Sequence, residues 1–288
     1  MRAVPKVDDS AEAKARARLL AYFVDNDASV FYSRQLEVLF EDEYFHWITN
    51  RALRNLIAEG KVRREQKQLG IGSTLNLVWH SKLRFAKRAA SEVHRLVDQY
   101  TTAATDGTLG MQGEHLVLAA FARRQYVLIA EESNSYDGKS WTASNHDFDF
   151  IFAKGGDAFG VEVKNTLGYM DFDEFRVKTT MALHLGIRPV FAVRMMPATW
   201  ISTLSKLGGY AMIMKWQFYP WTHAELTREL RAKLKLPVDT TKKIEGGTMD
   251  RFERYLSAPW LPPLGSVEDA ETAFKKIAPV HKSRELED

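Results

Sequence analysis

Three charged residues near the middle of the chain have the types and spacing of a metal-dependent hydrolytic site. Asp149 lies in an alternating apolar segment, and Glu162 and Lys164 lie two residues apart in the next one. Side chains two apart on a strand project from the same face, so Glu162 and Lys164 are expected to be neighbours. Carboxylates suit Mg²⁺ or Mn²⁺. A lysine beside them can hold the attacking water and offset charge that develops on a phosphate.

The alternation of side chains predicts a β-hairpin over residues 146–164. The first strand alternates Phe148, Phe150 and Phe152 with Asp147, Asp149 and Ile151. After the turn Lys-Gly-Gly-Asp, the second alternates Phe159, Val161 and Val163 with Gly160, Glu162 and Lys164. We therefore expect the acids and the lysine on the face opposite the aromatic side chains.

The triplet acid-x-Lys has little weight by itself. It begins at five positions, which are Glu12, Glu59, Glu65, Asp137 and Glu162. An isolated example is most simply a solvent-facing ion pair. Only the last follows a strand that carries an acid on the matching face, and that context raises it above chance.

The strand with an acid, the turn and the strand ending in Glu-Val-Lys resemble the core of the PD-(D/E)xK nuclease superfamily, most closely its Holliday-junction-resolvase, Mrr and RecB-like branches. The resemblance implies that Asp149, Glu162 and the Val163 carbonyl hold the metal and that Lys164 is catalytic. Asp147 is the alternative first acid. The proline of the family pattern is absent, since His146 precedes Asp147.

The segments over residues 109–220 follow the helix-strand-strand-strand-helix-strand order of that family. We predict a helix over 115–124, a strand over 126–130, a loop over 131–144, a helix over 172–185, a strand over 188–195, a short helix over 200–207 and a strand over 210–219. The implied fold is α/β, a restriction-endonuclease-like core with a mixed central sheet flanked by helices.

Glu114 is a fourth site residue, because resembling proteins carry a Glu near the start of the first helix, where it can help hold a metal or its water. The alternative is that an acid in a first helical turn simply favours the helix dipole.

Residues 11–80 resemble a winged helix-turn-helix domain. Helices are predicted over 11–24 and 33–40, and a third places Leu53, Leu56 and Ile57 inward and ends at Gly60. A hairpin then starts at Val62, turns at 70–73 and returns through Leu75, Leu77 and Trp79. The resemblance implies DNA contacts from the third helix and the wing, namely Trp47, Asn50, Arg51, Arg54, Arg63, Arg64, Lys67 and Gln68. Winged helices also serve as dimerisation modules.

The charge distribution favours a division of labour in which the N-terminal domain binds DNA and the nuclease domain cleaves it. The 288 residues carry a net charge of +3. From Lys61 to Arg95 there are nine Lys or Arg against two Glu, whereas residues 106–220 hold eleven against twelve acids. Clustered cations bind phosphates without regard to sequence. On the second nuclease helix, Arg176 and Lys178 could touch phosphate, although a solvated helix face is the simpler interpretation.

Composition excludes several other classes of protein. With no cysteine there is neither a disulfide nor a zinc-thiolate site. The eight histidines are scattered and predict no histidine metal site. His146 is the one candidate, because it lies beside the acids of the site. We find no Walker-type loop, membrane span or secretion signal, and expect an intracellular, cytoplasmic protein, with association with the nucleoid as an alternative.

The sequence thus predicts a winged helix over 1–81, a helical linker over 82–106, a nuclease domain over 107–220 and a C-terminal helical extension over 221–288. The predicted function is that of a Mg²⁺- or Mn²⁺-dependent DNA endonuclease. The alternatives are a DNA-binding regulator or assembly protein with an inactive nuclease fold, and a nuclease that cleaves RNA. A homodimer is expected if both strands are cut symmetrically.

Overall fold

The computed structural model describes residues 9–105 and 107–285. The chain forms two compact units, one of Met1–Asp106 with His223–Val238 and the other of Gly107–Thr222 with Asp239–Asp288. Both combine helices with sheet, and the second has a mixed sheet, so the predicted α/β class is confirmed. In the described residues, no helix combines the length and the apolar character needed to cross a membrane.

The N-terminal unit joins helices to a small antiparallel sheet. Its elements are α1 (Asp9–Asp25), β1 (Val30–Tyr32), α2 (Ser33–Leu39), α3 (His46–Ala58), β2 (Val62–Gln68), β3 (Thr74–His80) and α4 (Lys87–Thr105). The sheet order is β1-β3-β2, with β2 and β3 forming the expected hairpin. The core includes Leu19, Phe23, Leu36, Leu53 and Leu56. Strand β1 is an addition to the predicted elements.

The second unit is built on a five-stranded sheet in the order β10-β9-β8-β7-β4. Its elements are α5 (Thr108–Arg123), β4 (Val127–Ser133), β5 (Ser135–Tyr136), β6 (Lys139–Ser140), β7 (Phe148–Lys154), β8 (Asp157–Lys164), α6 (Phe172–Leu185), β9 (Arg188–Val193), α7 (Ala198–Lys206), β10 (Tyr210–Ile213) and β11 (Gln217–Phe218). Strand β7 pairs antiparallel with both β4 and β8, whereas β9 pairs in parallel with β8 and β10 in parallel with β9. The predicted strand over 210–219 is interrupted where Lys215 takes a φ of 66°.

Separate apolar clusters lie on the sheet's two faces. Phe150, Phe152 and Val161 pack with Phe121 of α5, as the alternation predicts. Phe148 departs from that alternation and packs with Ile151 and with Met181 of α6. Gly160 makes this possible, because a Cβ built on it would lie 2.7 Å from the Phe148 ring.

The region after residue 220 is divided between the units rather than forming the single extension that was predicted. A 3₁₀ turn (Trp221–His223) is followed by α8 (Ala224–Leu234), β12 (Val238–Asp239), α9 (Gly246–Leu256) and α10 (Val267–Glu285). Helix α8 belongs to the N-terminal unit, as does α4, the predicted linker. Helices α9 and α10 belong to the second unit, where Phe252 contacts Phe121 and Phe274 contacts Phe175.

Candidate active site

The β7–β8 hairpin brings Asp149, Glu162 and Lys164 together at one end of the sheet. Phe150 pairs with Val161 in this antiparallel hairpin. Asp149 and Glu162, one residue further from the turn on each strand, therefore lie at the same end of the hairpin. The Asp149 Oδ2 atom accepts a hydrogen bond of 2.6 Å from the Val163 amide. The Lys164 Nζ atom lies 3.0 Å from Glu162 Oε1. Glu162 is only 1% exposed, which is rare for a carboxylate without partners.

A second lysine reaches the same carboxylate from α6. The Lys178 Nζ atom lies 2.5 Å from Glu162 Oε2 and also donates to the Asp147 carbonyl oxygen. Lys178 is buried, so its interpretation as part of a solvated helix face is wrong. Arg176 does lie on the exposed side, paired with Asp173. Both oxygens of Glu162 therefore contact an ammonium group.

Glu174 completes this network and was not foreseen in the sequence. Its Oε1 atom lies 2.7 Å from Lys164 Nζ. Asp171 begins α6 by accepting hydrogen bonds from the amides of Asp173 and Glu174. The available signal was this N-cap together with the spacing of four residues between Glu174 and Lys178, which places both on one face of the helix.

Glu114 approaches the site because α5 packs closely on the end of β8. A Cβ on Gly113 would lie 2.6 Å from Asn165 Cβ and 3.3 Å from a methyl group of Val163. Asn165 is buried, and its amide donates to the Leu109 and Phe218 carbonyls. Asn165 thus fixes the start of α5, a positioning role that the sequence did not reveal. Glu114 is the seventh residue of α5, so a favourable charge in the first turn does not explain it.

Burial and neighbouring acids raise the pKa values of the site's carboxylates. Burial first, and then Asp149, raises the pKa of Glu162 to about 7, against the opposing effect of Lys178 and Lys164. Burial also raises the pKa of Asp149, although its hydrogen bond from Val163 acts in the other direction. Burial is thus the largest cause of both shifts, and the lysines offset it only in part.

Burial and neighbouring charges also shift the pKa values of Glu114 and Lys164. Burial, with Glu132 and Glu162 nearby, raises the pKa of Glu114. Burial alone would lower the pKa of Lys164, but Glu162 and Glu174 outweigh it and raise the pKa. Lys164 is therefore a cation at neutral pH.

The donor set has the chemistry of a site for a hard divalent cation. Asp149, Glu162 and the Val163 carbonyl offer oxygen atoms, and the raised pKa values of the acids show where added positive charge would be stabilised. Within the described part of the chain, however, no three His, Asp or Glu side chains already form a metal-binding group. A cation at Glu162 would share its oxygens with Lys164 and Lys178 or displace one of these lysines.

The other expected acid and histidine are less engaged. The Asp147 side chain is about half exposed, and its Oδ1 atom lies 3.9 Å from Lys178 Nζ, which also donates to the Asp147 carbonyl oxygen. His146 shares a hydrogen bond of 2.9 Å with Ser144 Oγ.

The residues predicted to contact DNA differ in the hydrogen bonds and ion pairs that they make within the N-terminal unit. Asn50 donates to Glu37, while Arg51 pairs with Glu12 and lies over the Trp47 ring. Lys67 pairs with Glu65, Gln68 bonds Thr74, and Arg54 is exposed. Arg63 and Arg64 are exposed on β2 and form no ion pair with the described residues.

Comparisons with protein-family models, with curated proteins and with solved structures found no match.

Proposed function

We propose that this protein is a metal-dependent nuclease that hydrolyses phosphodiester bonds in DNA. The observation that carries the proposal is the convergence of Asp149, Glu162 and Lys164 at one end of the β7–β8 hairpin, with Glu162 buried. Burying a carboxylate is costly, and a structural ion pair of this kind can often be replaced by apolar residues without loss of stability. Perturbed acids grouped with a lysine are typical of functional sites.

The arrangement of elements supports the resemblance to PD-(D/E)xK nucleases. Helix α5, strands β4, β7 and β8, helix α6 and strand β9 follow in the order that this family implies. The sheet joins an antiparallel half to a parallel half, as expected for a mixed restriction-endonuclease-like core. In the N-terminal unit, three helices followed by the β2–β3 hairpin support a winged helix that contributes DNA binding.

Each side chain has a distinct role in this proposal. Asp149, Glu162 and the Val163 carbonyl would hold Mg²⁺ or Mn²⁺, with Glu114 assisting, and the bound ion would stabilise negative charge on the phosphate. Lys164 is charged at neutral pH, so it cannot take a proton from water. It positions the water through a hydrogen bond and offsets the developing charge. The water oxygen bonds to phosphorus as the bond from phosphorus to one sugar oxygen breaks. The leaving sugar oxygen gains one proton, and the water's two protons are released to the leaving group and to solvent, so that a phosphate monoester and a sugar hydroxyl are formed.

A second function is favoured by one specific observation. Both oxygens of Glu162 contact lysines, and this neutralises the carboxylate without any metal. The same geometry would suit a DNA-binding regulator or assembly protein whose nuclease fold has become a scaffold.

Metal binding and cleavage separate the two functions. Purified protein would be titrated with Mn²⁺ by calorimetry and then incubated with labelled duplex, single-stranded and branched DNA and with RNA. For a nuclease, we expect saturable Mn²⁺ binding and DNA fragments, both lost in the double variant Asp149→Ala and Glu162→Ala. Nucleic-acid binding without metal binding or cleavage would favour the regulator. Fragments from RNA alone would identify RNA, and not DNA, as the substrate.

A further inference from the structure

The connection between β3 and α4 exposes an aromatic side chain in the N-terminal unit. Phe85 is 90% exposed, more than any other large apolar side chain in the described residues. Its neighbours are held in place, because Ala86 is buried and the Leu83 amide donates to the His80 carbonyl. A single exposed apolar residue needs no explanation by itself. The charges around this one distinguish it.

Four cations surround Phe85 in sequence: Lys82, Arg84, Lys87 and Arg88. All four are exposed, and their side chains form no ion pair or hydrogen bond with the described residues. Other cations of the same unit are paired, among them Lys61 with Glu59 and Arg95 with Glu229. The connection is thus a concentration of uncompensated positive charge around an exposed ring.

The start of α4 adds to this excess of positive charge. Helix α4 begins at Lys87 and has no acidic residue in its first turn. The N-terminus of a helix carries partial positive charge, so Lys87 and Arg88 lie where cations are least favourable. An anion bound there would interact with the free backbone amides as well as with the side chains.

We propose that residues 82–88 form a binding site for nucleic acid with unpaired bases, in which Phe85 stacks on a base and the flanking cations contact phosphates. Duplex bases have their faces covered by stacking, and a phenyl ring cannot read their edges by hydrogen bonds. A base that is not paired offers its face, and stacking on an aromatic side chain needs no sequence preference. This inference rests on the proposed function and deepens it, because it makes single-stranded or branched DNA the preferred substrate.

The test measures binding without cleavage. Fluorescence anisotropy of a labelled 20-nucleotide oligo-dT and of a matched duplex would be recorded in EDTA, using the full-length protein. We expect Phe85→Ala to weaken oligo-dT binding about 5- to 100-fold. Its effect on duplex binding should be under about twofold, since duplex bases are already stacked. Phe85→Trp should restore oligo-dT binding.

Matched variants separate stacking from charge. Trp221→Ala, at another exposed aromatic residue, should bind like the wild type. Arg84→Gln with Lys87→Gln should weaken both nucleic acids and lower the salt dependence of oligo-dT binding by about 1.4 in slope. Lys242→Gln with Lys243→Gln removes the same charge at exposed residues outside the connection and should have a smaller effect.

Several results would overturn the proposal. Unchanged oligo-dT affinity in Phe85→Ala, or equal losses on oligo-dT and duplex, would exclude stacking. Binding to vesicles of phosphatidylcholine and phosphatidylserine, without binding to oligo-dT, would assign the connection to a membrane surface. If the wild type binds oligo-dT through Phe85 in EDTA but cleaves no nucleic acid in Mg²⁺, the nuclease is refuted and this binding site is left intact.

Discussion

Glu162 is a buried carboxylate whose charge is balanced by Lys164 and Lys178 and opposed by Asp149. Its pKa of about 7 lies above the ordinary value of 4.5, so the folded protein favours the protonated form. That preference stabilises the fold fully below pH 4.5 and is lost as the pH rises through about 7. A metal ion requires the ionised form.

Metal affinity should therefore depend on pH. We expect Mn²⁺ affinity to increase about tenfold per pH unit below pH 7 and to level off above it, with protons released on binding. Calorimetry from pH 6.0 to 8.5, in two buffers that differ in ionisation enthalpy, would measure both. An affinity that stays constant across this range would show that Glu162 is not a titrating ligand.

Removal of Lys178 should destabilise the fold in a pH-dependent way. Lys178→Met leaves Glu162 with an incompletely compensated buried charge, and we expect a loss of about 3–5 kcal/mol at pH 8. At pH 5.5, where Glu162 is protonated in the folded state, the loss should be smaller. Urea unfolding at the two pH values gives both quantities. Equal losses would mean that Lys178 acts through packing, and Lys178→Met combined with Glu162→Gln should recover most of the stability at pH 8.

At the scale of elements, the hairpin depends on a close contact that Gly160 permits. A Cβ there would lie 2.7 Å from Phe148 and 2.9 Å from Ile187 Cδ1. We expect Gly160→Ala to lower the free energy of unfolding by about 1–3 kcal/mol, because these rings and methyl groups are packed from both sides. Gly246→Ala, where a Cβ meets no atom within 4 Å, is the control. Equal stability of the two variants would show that Phe148 can move away at little cost.

The elements nearest the site were the ones most predictable from the sequence. The alternation around Asp149 and Glu162 and the helical pattern over 172–185 are local signals, and the observed β7, β8 and α6 follow them. Phe148 broke the alternation because Gly160, on the next strand, left room for its ring. Lys178, Glu174 and Asn165 were missed as site residues because the contacts that give them their roles join elements distant in sequence. The spacing of Glu174 and Lys178 shows only that they share one face of a helix.

At the scale of the whole molecule, α8 returns from the second unit to complete the first. Leu230 and Leu234 of α8 are buried, and Glu229 and Lys233 pair with Arg95 and Glu92 of α4. Deletion of residues 1–106 should therefore expose an apolar face of α8. We expect the truncated protein to aggregate or bind a hydrophobic dye, as judged by gel filtration and dye fluorescence.

A second truncation provides the control. Residues 219 and 239 lie close together, since the Tyr219 amide donates a hydrogen bond of 2.8 Å to the Asp239 carbonyl, and a short linker can therefore join the flanking segments. Replacement of residues 223–238 by a short Gly-Ser linker in the same deletion should restore a monodisperse protein with a cooperative thermal transition. If both truncated proteins behave alike, the apolar face of α8 does not need residues 1–106 to shield it from water.

The most direct test of the nuclease is the rate of DNA cleavage in Mg²⁺ by Lys164→Ala, compared with Lys139→Ala. Lys139 belongs to another acid-x-Lys triplet but lies on β6, outside the carboxylate site. We predict that Lys164→Ala lowers the cleavage rate by at least about 100-fold, because it removes a charge that stabilises the transition state. Lys139→Ala should cleave at the wild-type rate. Equal rates in the two variants, or no cleavage by the wild type on any nucleic acid, would contradict the proposed function.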